Sequence, residues 1–217
     1  MSRRIVILFA QESEARATLD ALKAEPLIHH SLNIWSEGEK CSCYLFSQGR
    51  IVLTGMGTHA AQMAVATHAM HGDLFWNLGF AATLNENQPL TTLVPIQTVD
   101  KHCMLPAVGL DPLSHHCLST TLPSFALETA AGARLISSDY PIHNATLRQQ
   151  LALKWDLVDM EGYGIAFAAQ ALAKKCQLWK IVSDFASPGG RELIRKNKPL
   201  FSEKLANFVL EQLKLHL

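Results

Sequence analysis

Apolar positions along this chain alternate between two periods, and the switches between them mark the elements. Ile5–Phe9 is an unbroken apolar run, the pattern of a strand buried on both faces. Glu12–Ala24 follows with Ala15, Leu19 and Leu22 at helical spacing, and Pro26 ends that helix. Leu32–Trp35, Cys41–Phe46 and Ile51–Leu53 read as a short antiparallel meander, turned at Ser36-Glu37-Gly38-Glu39 and Ser47-Gln48-Gly49. Thr58–His71 is rich in Ala and Met and reads as a helix. Leu74–Leu78 and Thr92–Val99 are the next strands, the second carrying Pro95, a mark of an edge or a bulge. His102–Pro123 holds Pro106, Gly109, Pro112 and Pro123 and reads as a long loop. Loops beyond about 12–15 residues are commonly functional, so a lid or an interface element is expected there. Ala133–Ile136 and Leu157–Met160 read as strands, Glu161–Lys175 as a helix and Leu178–Val182 as a strand. Pro199–Leu215 closes the chain as an amphipathic helix, with Phe201, Leu205, Phe208, Val209 and Leu213 on one face.

Strands alternating with helices predict an α/β fold, and the hairpins add antiparallel strands to it. We expect one domain over 1–217, with a three-layer α/β/α architecture and a mixed, mostly parallel central sheet. Composition supports a large core: 48% of the residues are hydrophobic and 18% charged. Lys plus Arg and Asp plus Glu both number 19, so the net charge is zero. A nucleic-acid partner would call for a basic excess, and none is expected. The run Ile5–Ala10 is too short for a signal peptide's apolar region. No uncharged apolar stretch approaches the roughly 20 residues that span a bilayer. No membrane partner is expected, and the chain reads as cytoplasmic. Five cysteines, an odd number in a chain of this size, do not suggest a disulfide framework. Cys41 and Cys43 share one strand face and read as buried thiols.

In sheets of this kind ligands bind beyond the strand C-termini, so the residues after each strand are the candidates. They are Gln11, Glu12, Ser13 and Glu14; Thr54-Gly55-Met56-Gly57; Gly79-Phe80-Ala81-Ala82; Glu161-Gly162; and Ser183-Asp184. Three carboxylates and two glycine turns would thus converge on one edge. Taken singly each has an ordinary reading. Glu14 and Glu161 could be first-turn helix acids, favoured by the dipole. Ser183-Asp184 could be a helix cap. Gly55-x-Gly57 is not the dinucleotide fingerprint, and no phosphate-binding G-x-x-x-x-G-K is present.

Together these blocks resemble a known family. Val158-Asp159-Met160-Glu161-Gly162, the small-residue helix Ile165–Ala173 and Ile181-Val182-Ser183-Asp184 are similar to segments of the nucleoside phosphorylase superfamily. The similarity is greatest to its methylthioadenosine/S-adenosylhomocysteine nucleosidase and futalosine hydrolase branch. Thr54-Gly55-Met56-Gly57 with Ala60-Ala61 resembles the family's glycine turn, and Asn77-Leu78-Gly79-Phe80-Ala81 its N-x-G-x-A segment. The blocks keep family order from residue 5 to residue 186. The resemblance implies a nucleoside phosphorylase-like fold and cleavage of the N-glycosidic bond of a 5′-modified purine nucleoside. Asp184 matches the acid that protonates the purine, and Glu14 the base that activates water. Glu161 matches the residue that holds the ribose hydroxyls. Met160, Met56, Gly57, Gly79, Phe80, Ala81, Tyr140, Ile142 and Ser183 would complete the substrate site. The family also implies a homodimer and no cofactor. Two positions depart from its pattern: Phe80 stands where a small residue is usual, and Pro141 where a base-stacking phenylalanine is.

Other features have plainer readings. His59, His68 and His71 lack the carboxylate or cysteine that would complete a metal set, and no metal is expected. His29-His30 and His115-His116 read as solvated. Arg191, Arg195, Lys196 and Lys198 could form an anion patch, but the simpler reading is a solvated helix face. Two alternatives stay open. A phosphorylase of the same fold would need arginines around phosphate; none lies in 10–14, although Arg16 is near. A non-catalytic nucleoside-binding module would explain Phe80 and Pro141 but not the three carboxylates.

Overall fold

The computed structural model describes residues 4–27, 43–85, 88–105, 118–127 and 131–216. In chain order it contains β1 (Ile5–Phe9), α1 (Glu12–Ala21), β2 (Glu25–Pro26), β3 (Cys43–Phe46), β4 (Gly49–Leu53), α2 (Thr58–His68), β5 (Leu74–Thr83), β6 (Leu93–Leu105), β7 (Leu118–Ala126), β8 (Ala133–Ser138), α3 (Ala145–Ala152), β9 (Leu157–Asp159), α4 (Gly162–Ala171), β10 (Lys175–Asp184) and α5 (Gly190–Leu215). A 3-10 turn at Ala69–His71 extends α2.

The run Ile5–Phe9 explains the layering. Its side chains alternate between faces, and all of them are buried. Ile5, Ile7 and Phe9 pack with Leu19 of α1 and Phe201, Leu205 and Val209 of α5. Val6 and Leu8 pack with Ala61 and Val65 of α2 and Ile165 and Ala169 of α4. Helices therefore cover both faces, in an α/β fold with a mixed sheet. Each buried side chain of this size contributes about 1.5–3 kcal/mol, so the central strand anchors both layers.

Parallel pairings join β1 to β4 and β5, β5 to β10, and β8 to β6 and β9. Antiparallel pairings join β2–β3, β3–β4, β5–β9, β6–β7 and β6–β10. Because β10 pairs with both β5 and β6, the strands β5, β9, β8, β6 and β10 close on themselves. From β5 the sheet continues through β1-β4-β3-β2, and β7 pairs with β6.

Several expectations change. Gly79, Phe80 and Ala81 lie inside β5 rather than after it, because pairing with β10 continues to Ala82. Ser183 and Asp184 likewise close β10. Within the expected loop His102–Pro123, residues 102–105 and 118–123 are strand, the ends of β6 and β7, which pair antiparallel from Thr98↔Ala126 to Leu105↔Leu118. The register shifts beside Pro123, where the ladder lacks an N–H. Residues 106–117 lie outside the described residues, as do Leu32–Trp35, Cys41, His29 and His30. The last helix begins at Gly190, with Pro199 inside it. A proline removes one helical hydrogen bond, but Phe201, Leu205 and Val209 hold the helix on the sheet across it. The helix α3 was not expected, and its cap is Asn144, whose side chain accepts from the Leu147 N–H at 2.9 Å. No described helix is long and apolar enough to cross a membrane.

Candidate active site

The C-terminal ends of β1, β5, β9 and β10 meet at a cavity of about 550 Å³. Glu14 enters it from the first turn of α1. Its Oε2 accepts from the backbone N–H of Ala10 (2.9 Å) and of Gln11 (3.2 Å), and its Oε1 from that of Phe80 (3.1 Å). Gly79 leaves room for this approach: a Cβ there would stand 3.2 Å from Glu14 Oε1, a tight contact. Burial pushes the Glu14 carboxyl above its usual value, while Lys180 and the three N–H donors oppose the shift.

Glu161 sits between β9 and α4. Its Oε1 accepts from the Gly57 N–H at 2.8 Å. Gly57 has φ of +97°, a conformation that side chains disfavour, so the glycine turn aims that N–H. Burial first, and then the nearby Asp159, push the Glu161 carboxyl up to about 8, against the pull of Lys180 and the Gly57 N–H.

Asp184 closes β10. Its Oδ2 accepts from the Ser183 hydroxyl (2.8 Å) and its Oδ1 from the Ala186 N–H (2.9 Å). A Cβ at Gly190, the first residue of α5, would lie 2.5 Å from Asp184 Oδ1. At its other end this segment of α5 reaches Glu14: the Ser202 hydroxyl donates to the Glu14 carbonyl at 3.0 Å. The first half of α5 thus runs from Asp184 to the Glu14 backbone, and along it Arg191, Ile194, Arg195 and Lys198 line the cavity.

Beneath the carboxylates lies Lys180, 1% exposed. Its Nζ is 2.8 Å from Asp159 Oδ2. Burial acts to lower its pKa, but Asp159, Glu161 and Glu14 together raise it. Asp159 also accepts from the Ser137 hydroxyl (2.5 Å) and the Gly162 N–H (2.8 Å). Lys180 offsets one carboxylate, Asp159, so charge on Glu14 or Glu161 is only partly balanced, in line with the upward shift of both.

A sequence model of the phosphorylase superfamily matches residues 4–214. This chain belongs to that superfamily. No curated protein matches the sequence. Among solved structures, a mutant futalosine hydrolase of Helicobacter pylori is 14% identical, with TM-score 0.77 and coverage of 98% of this chain and 99% of that one. An MTAN mutant of Helicobacter pylori with 5′-methylthioadenosine in its active site is 15% identical, with TM-score 0.75 and 99% coverage of both chains. MTAN of Chlamydia trachomatis is 23% identical, with TM-score 0.71 and full coverage of both. At these identities the likeness establishes the shared fold.

In this phosphorylase superfamily member the cavity brings together Glu14, Met56, Phe80, Ala81, Tyr140, Ile142, Met160, Glu161, Ser183 and Asp184. Gly57 and Gly79 stand behind the carboxylates rather than on the wall. Phe80 finds room because its ring packs edge-on against Phe201, centroids 5.3 Å apart. Pro141 lines the cavity beside Tyr140 and Ile142. Arg16 does not line it and instead pairs with Glu12 on the exposed side of α1. Among the described residues no group of His, Cys, Asp and Glu could hold a metal ion. Sequence reasoning missed Lys180, although a lysine within the otherwise apolar Leu178–Val182 was a signal. The reading of Arg191, Arg195, Lys196 and Lys198 as a solvated helix face is met at Arg191, Arg195 and Lys196, which are exposed; Arg191, Arg195 and Lys198, at i, i+4 and i+7 spacing, also border the cavity.

Proposed function

We propose that this protein is an N-ribosylhydrolase, a nucleosidase that cleaves 5′-modified purine nucleosides and releases the free base. One observation carries the reading: Glu14, Glu161 and Asp184 line a single cavity. An N-ribosyl bond breaks through a cationic sugar, and the purine leaves well only when protonated. Asp184 serves as the general acid toward the base, held in orientation by Ser183 and the Ala186 N–H. Glu161 pairs with the ribose hydroxyls, and its ionised form, which gains weight as the pH approaches about 8, favours the developing cation. Glu14 takes a proton from the attacking water. Its raised pKa suits a base working near neutral pH. Met160, Met56, Phe80, Ala81, Tyr140 and Ile142 supply the apolar walls for base and sugar. The 5′ group is of the kind found in methylthioadenosine, S-adenosylhomocysteine or futalosine, the working unit is a homodimer, and no cofactor takes part.

Water is favoured over phosphate as the nucleophile. Like charges about 4 Å apart cost about 4 kcal/mol at an effective dielectric near 20, so Glu14 opposes a phosphate beside it. The alternatives are phosphorolysis and nucleoside binding without turnover. Base release and sugar product should be followed for a nucleoside panel with and without phosphate. Free 5′-modified ribose in phosphate-free buffer is expected, and Asp184→Asn and Glu14→Gln should each slow release by about 10²–10⁴-fold. Ribose 1-phosphate, formed only with phosphate, would replace this reading by the phosphorylase; binding without any base release would leave the binding module.

A further inference from the structure

Asp184 depends on a turn that its own side chain does not fix. Its Oδ1 accepts from the Ala186 N–H at 2.9 Å. Ala186 holds φ of +48°, a left-handed conformation uncommon for a residue with a side chain, which persists only where the surroundings impose it. Ala186 is 5% exposed and packs with Ile142, Leu151 and Trp155. The carbonyl just before it, that of Phe185, accepts from Arg148 Nη1 at 3.0 Å. That carbonyl and the Ala186 N–H belong to one planar peptide group. Arg148 thus grips one edge of the plane and Asp184 the other. A charged donor makes a stronger bond than a neutral one, and it polarises the peptide so that the N–H on the far edge donates more strongly.

Among the described residues Arg148 forms no ion pair, and the Phe185 carbonyl is its side-chain partner. It does not line the cavity. It stands half-buried on α3, whose cap at Asn144 follows closely on the cavity residue Ile142. Leu147 and Leu151, its neighbours on the helix surface, pack into the cluster that contains Ala186. The helix is therefore docked on the turn after Asp184 and presents the guanidinium to it. We infer that Arg148 is a positioning residue for the general acid: it fixes the Phe185–Ala186 peptide plane and, through that plane, the aim of the Asp184 carboxyl at the purine. The inference rests on the nucleosidase reading and adds to it a residue that never touches the substrate.

The test separates proton donation from everything else the site does. Two ribosides with the same 5′-methylthio group are compared by steady-state kinetics. In one, a purine (adenine or hypoxanthine) leaves and takes a proton from Asp184 as the C–N bond breaks. In the other, 4-nitrophenolate leaves with the bonding pair and needs no proton. Asp184→Asn is the reference: it should slow purine release by about 10²–10⁴-fold and nitrophenolate release little. Arg148→Met keeps the apolar stem and loses the donor. A misplacement of about 1 Å can cost about 10²-fold, so kcat for the purine riboside should fall by about tenfold to a hundredfold. Its KM and the release of nitrophenolate should stay nearly unchanged. Arg148→Lys, which can still donate to the carbonyl, should recover most of the loss. Arg148→Gln, too short to reach Phe185, takes the place of Arg148→Met if circular dichroism shows that variant unfolded. Equal slowing of both ribosides would make Arg148 a structural residue, and unchanged purine release would make its bond incidental; either result overturns the inference and leaves the nucleosidase reading in place. If Asp184→Asn slowed both ribosides alike, Asp184 would not be the acid, and the inference would fall with that assignment. If the unsubstituted protein released neither purine, the nucleosidase reading itself would fail and take the inference with it.

Discussion

Two strand lysines flank this site, and they solve the same problem differently. Lys180 on β10 and Lys101 on β6 are both buried, at 1% and 5% exposure. Lys180 meets Asp159, whose side chain is equally buried, and Asp159 is tied in turn to Ser137 and the Gly162 N–H. Lys101 reaches outward to Asp139, whose side chain is 54% exposed, and donates to the Thr58 hydroxyl. The first arrangement is closed: every charge in it faces protein. The second has one wet end. A closed ionic cluster cannot relax when a member is lost, because water cannot replace it; an open one can.

The largest expected effect follows from that difference. Lys180→Met leaves Asp159 buried without its cation and removes the charge that opposes the upward shifts of Glu14 and Glu161. Breaking a buried pair in this way costs about 3–5 kcal/mol. Urea denaturation should show a loss of that order for Lys180→Met and a clearly smaller one for Lys101→Met. Equal losses would mean that exposure of the partner carboxylate does not govern the outcome.

A pH series sharpens the same contrast. The Glu161 carboxyl is raised from 4.5 to about 8 in the folded protein. Between those values the folded state holds a proton that the unfolded state has released, so stability falls as pH rises. Glu14 is shifted in the same direction. Lys180, raised above its usual value, stays charged in both states over this window. One pKa unit corresponds to about 1.4 kcal/mol, so a decline of about 2 kcal/mol or more is expected between pH 5 and pH 8. Glu161→Gln should flatten it. A decline of the same size in the variant would assign the effect to other groups.

Legibility in the sequence followed the same divide between local pattern and distant contact. Glu14, Glu161 and Asp184 could be found because each closes a strand–helix junction, and such junctions share one sheet edge. The run Ile5–Phe9 marked a strand covered on both faces. The closed ring of β5, β9, β8, β6 and β10 could not be read, since it depends on β10 pairing with both β5 and β6. The prolines of His102–Pro123 suggested a loop because proline weakens ladders, yet β6 and β7 pair around Pro123 with a register shift. Lys180 was hidden because periodicity reports which face is buried and says nothing of a carboxylate waiting there from β9. The exposed cations Arg191 and Arg195 of α5 were legible as a solvated helix face; that this face also borders the cavity was not, because it depends on the helix starting at Gly190 beside Asp184.

On the open side, Lys101→Met should cost about 1–2 kcal/mol, within the range for a hydrogen-bonded group whose partners can turn to water. Thr58 keeps its hydroxyl within 3.2 Å of the Met160 carbonyl, so its bonding is not lost with the lysine. A loss above about 3 kcal/mol in thermal or urea unfolding would place Lys101 in the same class as Lys180.

The smallest effect tests the wet end itself. Asp139→Asn keeps the shape at Asp139 and removes its charge, which is half exposed and screened; the cost should be below about 1 kcal/mol. A finer probe lies next to Lys101. His102 is 2% exposed, and neither ring nitrogen has a partner among the described residues. Burial holds its pKa below the usual value, Lys101 pushes the same way and Asp139 pulls back. Asp139→Asn should therefore move the His102 titration further down, whereas Lys101→Met should move it up toward 6.5. Imidazole chemical shifts followed by NMR across pH would separate the two. If Asp139→Asn raised the His102 pKa, or if neither substitution moved it, the open pair would not be acting on its neighbour through charge, and the contrast with the closed cluster at Lys180 would rest on packing alone.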